Sequence, residues 1–143
     1  MLLTGSPTID AERAFTRAMR ARRRASLMQK LRRQRACGLE VFDELDITRS
    51  RTRVPRGIRE IPIDAITGTL EPARAPLFDG CFRPARAART RWQRLWIAEQ
   101  RGEAIPPISV VRVGGSYVVR DGHHRVSVAK ARGAATIDAM LVP

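Results

Sequence analysis

A chain of 143 residues with 43% apolar content has room for one modest core, and its 27 basic residues against 14 acidic ones leave a formal net charge of +13. No apolar run reaches the roughly 18 residues a membrane-spanning helix needs, and the start MLLTGSPTIDAERAF lacks the basic-then-apolar pattern of a signal peptide, so the expectation is a cytoplasmic protein with no membrane partner. The basic residues are 25 Arg and 2 Lys, a surface that attracts polyanions and points to a nucleic acid or a nucleotide.

Residues 10–36, DAERAFTRAMRARRRASLMQKLRRQRA, predict one helix, because Ala and Arg favour helix and no Gly or Pro interrupts. Asp10 or Thr8 is placed to cap its start and Gly38 to end it. Ten basic residues face one acid, Glu12, between Ala11 and Ala36. The apolar positions Ala14, Ala18, Ala21, Ala25 and Met28 form a narrow stripe that would bury little area, which predicts a loosely attached element. Arg20, Arg22, Arg23, Arg24, Lys30, Arg32 and Arg33 are candidates for contact with a phosphate backbone, although a helix with a merely solvated basic face gives the same pattern. Cys37 and Cys81 lie far apart in neither a CxxC nor a CxxxH, which predicts reduced, inert thiols and no metal site.

Residues 39–57, LEVFDELDITRSRTRVPRG, begin amphipathic and pass into a basic linker carrying Arg49, Arg51, Arg53 and Arg56. A boundary falls here, between a basic helical arm with its linker (1–57) and a compact α+β domain (58–143). IREIPIDAI alternates and reads as a strand that Pro62 pushes to an edge. GTLEPARAPLFDGCFRP reads as a loop, and ARAARTRWQRLWIAEQRG as a helix stopped by Gly102, with Trp92 and Trp96 packing inward. PPISVVRV and SYVVRDG read as a hairpin turning at Gly114-Gly115, HHRVSVAKARG as a helix, and ATIDAMLV as a closing strand.

Both histidines of the chain sit at the joint between that second hairpin strand and its helix, in DGHHR. The first turn of a helix carries N–H groups without partners, and with the helix dipole they make an anion site. Gly122 permits close approach, and Arg125 in the first turn could grip a phosphate in two places. His123 and His124 add donors when protonated, and a phosphate would raise their pKa. The same residues also fit a plain joint in which Asp121 caps, Gly122 turns and the histidines are surface polarity. Adjacent histidines suit a metal poorly, since helical ligand pairs prefer i, i+4 spacing. Asp121 could join a magnesium ion through a bound triphosphate, and no serine sits in a nucleophile elbow.

The order of features resembles the ParB/sulfiredoxin superfamily, in particular the N-terminal domain of ParB-type partition proteins: the strand IREIPIDAI, the segment RWQRLWIAEQRGEAIPPISVVRV with its G-x-x-x-P-P-I-x-V, then GGSYVVRDGHHRVSVAKARG where relatives carry a G-E-R-R-x-x-A-type box, and the strand ATIDAMLV. DGHHR also resembles the box of ParB-related small-molecule kinase-like proteins. The resemblance covers about 60% of the chain, with most of its specificity in the final 45 residues. It implies a small mixed sheet with packed helices and a nucleotide (CTP, or ATP/ADP) held by its phosphates at Gly122, His123, His124 and Arg125, with Mg2+ as a possible companion. Sulfiredoxin carries G-C-H-R in the box with cysteine as nucleophile; His123 stands there in this chain, so that chemistry is not expected. Partition proteins continue into a helix-turn-helix and a dimerisation domain, so a complete partition protein is not expected either.

Arg74, Arg83 and Arg86 in the 68–89 loop are candidate contacts, and Glu71 or Asp79 could orient a substrate or metal. The leading expectation is a nucleotide-binding module whose basic helix associates with DNA or RNA. The alternative is a small-molecule kinase or nucleotide hydrolase using Asp121, His123 and His124 as catalytic groups. A nuclease ranks third, because no carboxylate cluster for two-metal chemistry stands out, alongside a basic DNA-associated protein that holds no nucleotide. The oligomeric state stays open, a dimer included.

Overall fold

The computed structural model describes residues 3–34, 38–45, 47 and 57–142; Cys37 and the linker arginines Arg49, Arg51, Arg53 and Arg56 lie outside the described residues. In chain order the main elements are α1 (Pro7–Leu31), β1 (Glu40–Val41), β2 (Gly57–Pro62), β3 (Ile66–Thr69), α2 (Arg89–Gln100), β4 (Ile108–Val113), β5 (Ser116–Asp121), α3 (His123–Ala131) and β6 (Thr136–Leu141). The strands form one six-stranded mixed sheet in the order β1-β3-β5-β4-β6-β2. β3 runs parallel to both β1 and β5, and β4 parallel to β6; the β4–β5 hairpin and the β2–β6 pair are antiparallel. This is an α+β fold with packed helices and a basic N-terminal helix, as the sequence leads one to expect.

The two central strands are apolar on both faces, and the sheet is covered on both. Val110 and Val119 pack with Val126 of α3, Ile61, Ile66, Phe78 and Ile108. Val111 and Val118 point the other way, onto Ile47 and Leu70, with Phe42 alongside. β2 takes the edge position that Pro62 demands, since proline has no N–H to give to a ladder.

Three local expectations are corrected. First, IREIPIDAI is not one strand: it breaks at Pro62 into a 3₁₀ turn (Ile63–Ala65) and β3, which takes Gly68 and Thr69 out of the expected loop. Gly68 hides this strand from propensity, yet its place in it is steric, because a Cβ there would lie 2.6 Å from both the Phe42 ring and the Glu40 carbonyl oxygen. Second, α1 starts at Pro7 behind Ser6, using proline where its missing N–H costs nothing. Asp10 caps nothing; it is buried and accepts hydrogen bonds from Thr4 N (2.9 Å) and Thr4 Oγ1 (2.8 Å). The helix ends at Leu31, not near residue 36. Arg33 takes a left-handed conformation (φ 54°), its N–H bonds Lys30 O, and Gln34 N bonds Gln29 O, so an arginine fills the place usually given to glycine.

Third, α1 is not loosely attached over its first half. Ala11, Ala14, Phe15 and Met19 form the buried face, with Trp92, Trp96 and Val128 as partners. The alanine stripe missed Phe15, whose ring meets Trp92 edge-on at 5.4 Å between centroids. Trp92 in turn donates its indole N–H to Ser127 Oγ of α3 (2.9 Å), so one side chain joins all three helices. Beyond Met19 the helix exposes Leu27, Met28 and Leu31. Phe15→Ala is expected to cost about 3 kcal/mol in urea unfolding, the scale of a buried aromatic deletion; a loss under about 0.5 kcal/mol would mean that α1 is not part of the cooperative unit.

Candidate functional site

The joint between β5 and α3 is built by a steric fit. The pairing of β4 with β5 shifts register between Ser109 and Val110, where β5 leaves the sheet beside Ile108. Gly122 then adopts φ 110° and starts α3. A side chain there is doubly excluded: the dihedral is one that L-residues rarely adopt, and a Cβ would collide with the Ile108 side chain. No side chain caps the turn that follows, so the first N–H groups of the helix have no side-chain acceptor.

His123 and His124 are not surface polarity: they are only 3% and 7% exposed. His123 Nε2 lies 2.5 Å from Thr69 Oγ1, and the same oxygen accepts the N–H of Glu71 (2.9 Å). Phe78 stacks near-parallel to the His123 ring and meets His124 edge-on. His124 has no hydrogen-bond partner among the described residues. Burial pushes the pKa of His123 down to about 4, assisted first by the Arg74 guanidinium and then by the neighbouring His124, while Asp121 pulls the other way. Burial, followed by Arg91 and Arg74, does the same to His124, again to about 4. Both rings therefore favour the neutral form at pH 7 in the free protein, and would act as cationic donors only if a bound anion raised their pKa.

Arg125 also differs from expectation. Its Nη1 donates to the carbonyls of Pro106 and Pro107 (2.8 Å each), and its Nη2 to Asp121 Oδ2 (2.9 Å). The guanidinium fork thus straps the joint to the segment leading into β4. Asp121 is exposed and ion-paired with Arg125.

The loop candidates separate. Arg74 stands close enough to both histidines to act on their protonation. Arg83 is elsewhere: it pairs with Asp79 (3.3 Å), whose Oδ1 also takes the N–H groups of Cys81 and Arg83, so Asp79 shapes its own loop. Arg86 is exposed at the start of a 3₁₀ turn and makes no polar contact with the joint among the described residues. Glu71 follows Thr69 and is exposed. Sequence reasoning missed Arg91, in the first turn of α2. Its signal was readable: that turn holds no acid, and cations are disfavoured at a helix N-terminus unless something else wants them there. Arg74 and Arg91 make no ion pair among the described residues. Of the α1 candidates, Arg20, Arg23, Arg24, Lys30, Arg32 and Arg33 are exposed and Arg22 is half-buried. No cluster of three or more His, Cys, Asp or Glu that could hold a metal occurs among the described residues.

No family model and no curated protein matches the sequence. Among solved structures, sulfiredoxin from Arabidopsis thaliana is similar, with a TM-score of 0.44 and 22% identity over 60% of this chain and 84% of that one. A likeness of that size leaves the local geometry to carry the function, and the geometry fixes a sign for pH. Both histidines have a folded pKa near 4 against an ordinary value of 6.5, so above pH 6.5 both states are neutral and nothing is lost. As pH falls from 6.5 to 4, the unfolded chain takes up protons that the folded chain refuses. Stability is therefore expected to drop across that window by up to about 1.4 kcal/mol per pH unit per histidine. Urea unfolding of wild type and His124→Gln checks this; equal slopes in the two would contradict it.

Proposed function

We propose that the β5–α3 joint binds the phosphates of a nucleotide, and that the basic outer half of α1 associates with a nucleic acid backbone. The observation that supports the first part is that Arg74, near both buried histidines, and Arg91, near His124, make no ion pair among the described residues and stand beside a helix start without a side-chain cap. Such an arrangement is electrostatically incomplete. It has oriented N–H groups, two cations and a His124 ring without a partner, and an anion would satisfy all of them. Its arrival would also raise the histidine pKa values and draw in a proton. The ParB-like form of the DGHHR box agrees with this reading and adds CTP, ATP and ADP as candidates. The roles within the box are redistributed, however: Arg125 positions the turn, while Arg74, Arg91 and the helix start hold phosphate.

Turnover finds less support. Asp121 is bound to Arg125, and magnesium would find at most Asp121 or Glu71 as protein ligands beside the phosphates themselves. The binding reading therefore stands ahead of a kinase or hydrolase.

Calorimetric titration of CTP, ATP, ADP and GTP, with and without Mg2+, tests the first part. At least one nucleotide is expected to bind at micromolar affinity, more tightly as pH falls from 7 towards 6. Arg74→Gln and Arg91→Gln are each expected to weaken it about tenfold. Silence from well-folded protein, or full affinity in the double variant, overturns the reading. For α1, removing residues wholesale would strip Phe15 from the core, so charge replacement is the cleaner test. Arg20→Gln, Arg23→Gln and Arg24→Gln together are expected to lower the slope of log affinity for duplex DNA against log salt by about 3. An unchanged slope would remove α1 from the interface.

A further inference from the structure

A concavity lies along the C-terminal half of α3. It encloses about 640 Å³ between α1, α2, the end of α3 and the 81–84 turn. That volume falls in the usual range for small-molecule sites, some 300–1,000 Å³. Its walls are apolar: Ala14, Ala18 and Ala21 from one face of α1, opposed by Phe82, Pro84 and Trp96. Alanines along α1 are what keep the space open, since any larger side chain at those positions would fill it. Phe82 forms its wall from a left-handed backbone conformation (φ 59°), a strained placement for a non-glycine residue.

The rim carries a single sign of charge. Arg17, Arg83, Lys130 and Arg132 line the opening, and no carboxylate is among the lining residues. Two of these cations are held in place from outside the cavity, Arg83 by Asp79 and Arg132 by Glu99 (3.1 Å), and Arg132 also lies over the Trp96 ring. Lys130 sits over the Phe82 ring, where apolar wall and positive rim meet, and makes no ion pair among the described residues.

We propose that this cavity binds a small organic anion with an apolar body, of the class of medium-chain or aromatic carboxylates, its chain or ring against Trp96, Phe82 and the α1 alanines and its carboxylate at Lys130. The inference is independent of the nucleotide reading, because the charged α3 residues involved, Lys130 and Arg132, lie at the far end of the helix from His123, about 10 Å along its axis for Lys130.

The test is fluorescence titration with 8-anilinonaphthalene-1-sulfonate, itself an apolar aromatic anion, in about 0.3 M NaCl to screen scattered surface binding. One probe per chain is expected to bind with enhanced emission. Decanoate is expected to displace it at least tenfold more effectively than decanol, and ATP not to displace it. Ala18→Phe, which fills the cavity, is expected to abolish binding. Lys130→Gln, at a half-exposed position, is expected to weaken decanoate about tenfold, with far-ultraviolet circular dichroism confirming the fold of both variants. Lack of enhancement, equal displacement by decanol, displacement by ATP, or wild-type behaviour of either variant overturns the proposal. So does a dimer that Ala18→Phe dissociates, since a second copy would then be the occupant.

Discussion

The contact between Gly122 and Ile108 is the constraint on which the candidate site depends. β5 leaves the sheet where its register with β4 shifts, and the chain must turn into α3 with no room for a Cβ. Because the turn is a left-handed glycine with no capping side chain, the first N–H groups of α3 have no side-chain acceptor. The same turn drives the next two side chains inward, so His123 meets Thr69 and Phe78 and His124 meets Phe78. Arg125, one turn on from Asp121, closes the arrangement by bonding the Pro106 and Pro107 carbonyls. Steric fit, buried imidazoles and a strapped turn are three consequences of one position.

Around that joint the helices are tied through Trp92. Its ring packs on Phe15 and its N–H bonds Ser127, so α1 and α3 are fixed to α2 from opposite sides. This makes the first half of α1 structural while its outer half remains a cationic surface. It also leaves Arg91 at the start of α2, held beside His124 by the helix that Trp92 anchors. Two buried histidines beside Arg74 and Arg91 cost stability in acid, a cost that the proposed anion would offset.

Much of this was legible in the sequence, and the misses have physical reasons. The β4–β5 hairpin, α3 and β6 follow from alternation and from the Gly114-Gly115 turn, and the inward Trp92 and Trp96 follow from helical spacing. β3 was hidden because Gly68 is there for a close approach of Phe42, a tertiary demand that propensity does not register. The docking of α1 was hidden because one phenylalanine, not the alanine stripe, carries the burial. At the site, DGHHR located the joint but not the roles. Composition does not show that the Arg125 guanidinium bonds the Pro106 and Pro107 carbonyls, or that Arg91 stands near His124; both depend on tertiary placement.

The central claim is one of place: the anion sits on the open first turn of α3. Amide chemical shifts of uniformly 15N-labelled protein, followed during titration with the nucleotide or with inorganic pyrophosphate, test it most directly. The account predicts that the largest shifts fall on the amides of Gly122, His123, His124 and Arg125, with the Arg74 and Arg91 side chains following. Shifts confined to the outer half of α1, or centred on Ser127 to Arg132, would contradict it.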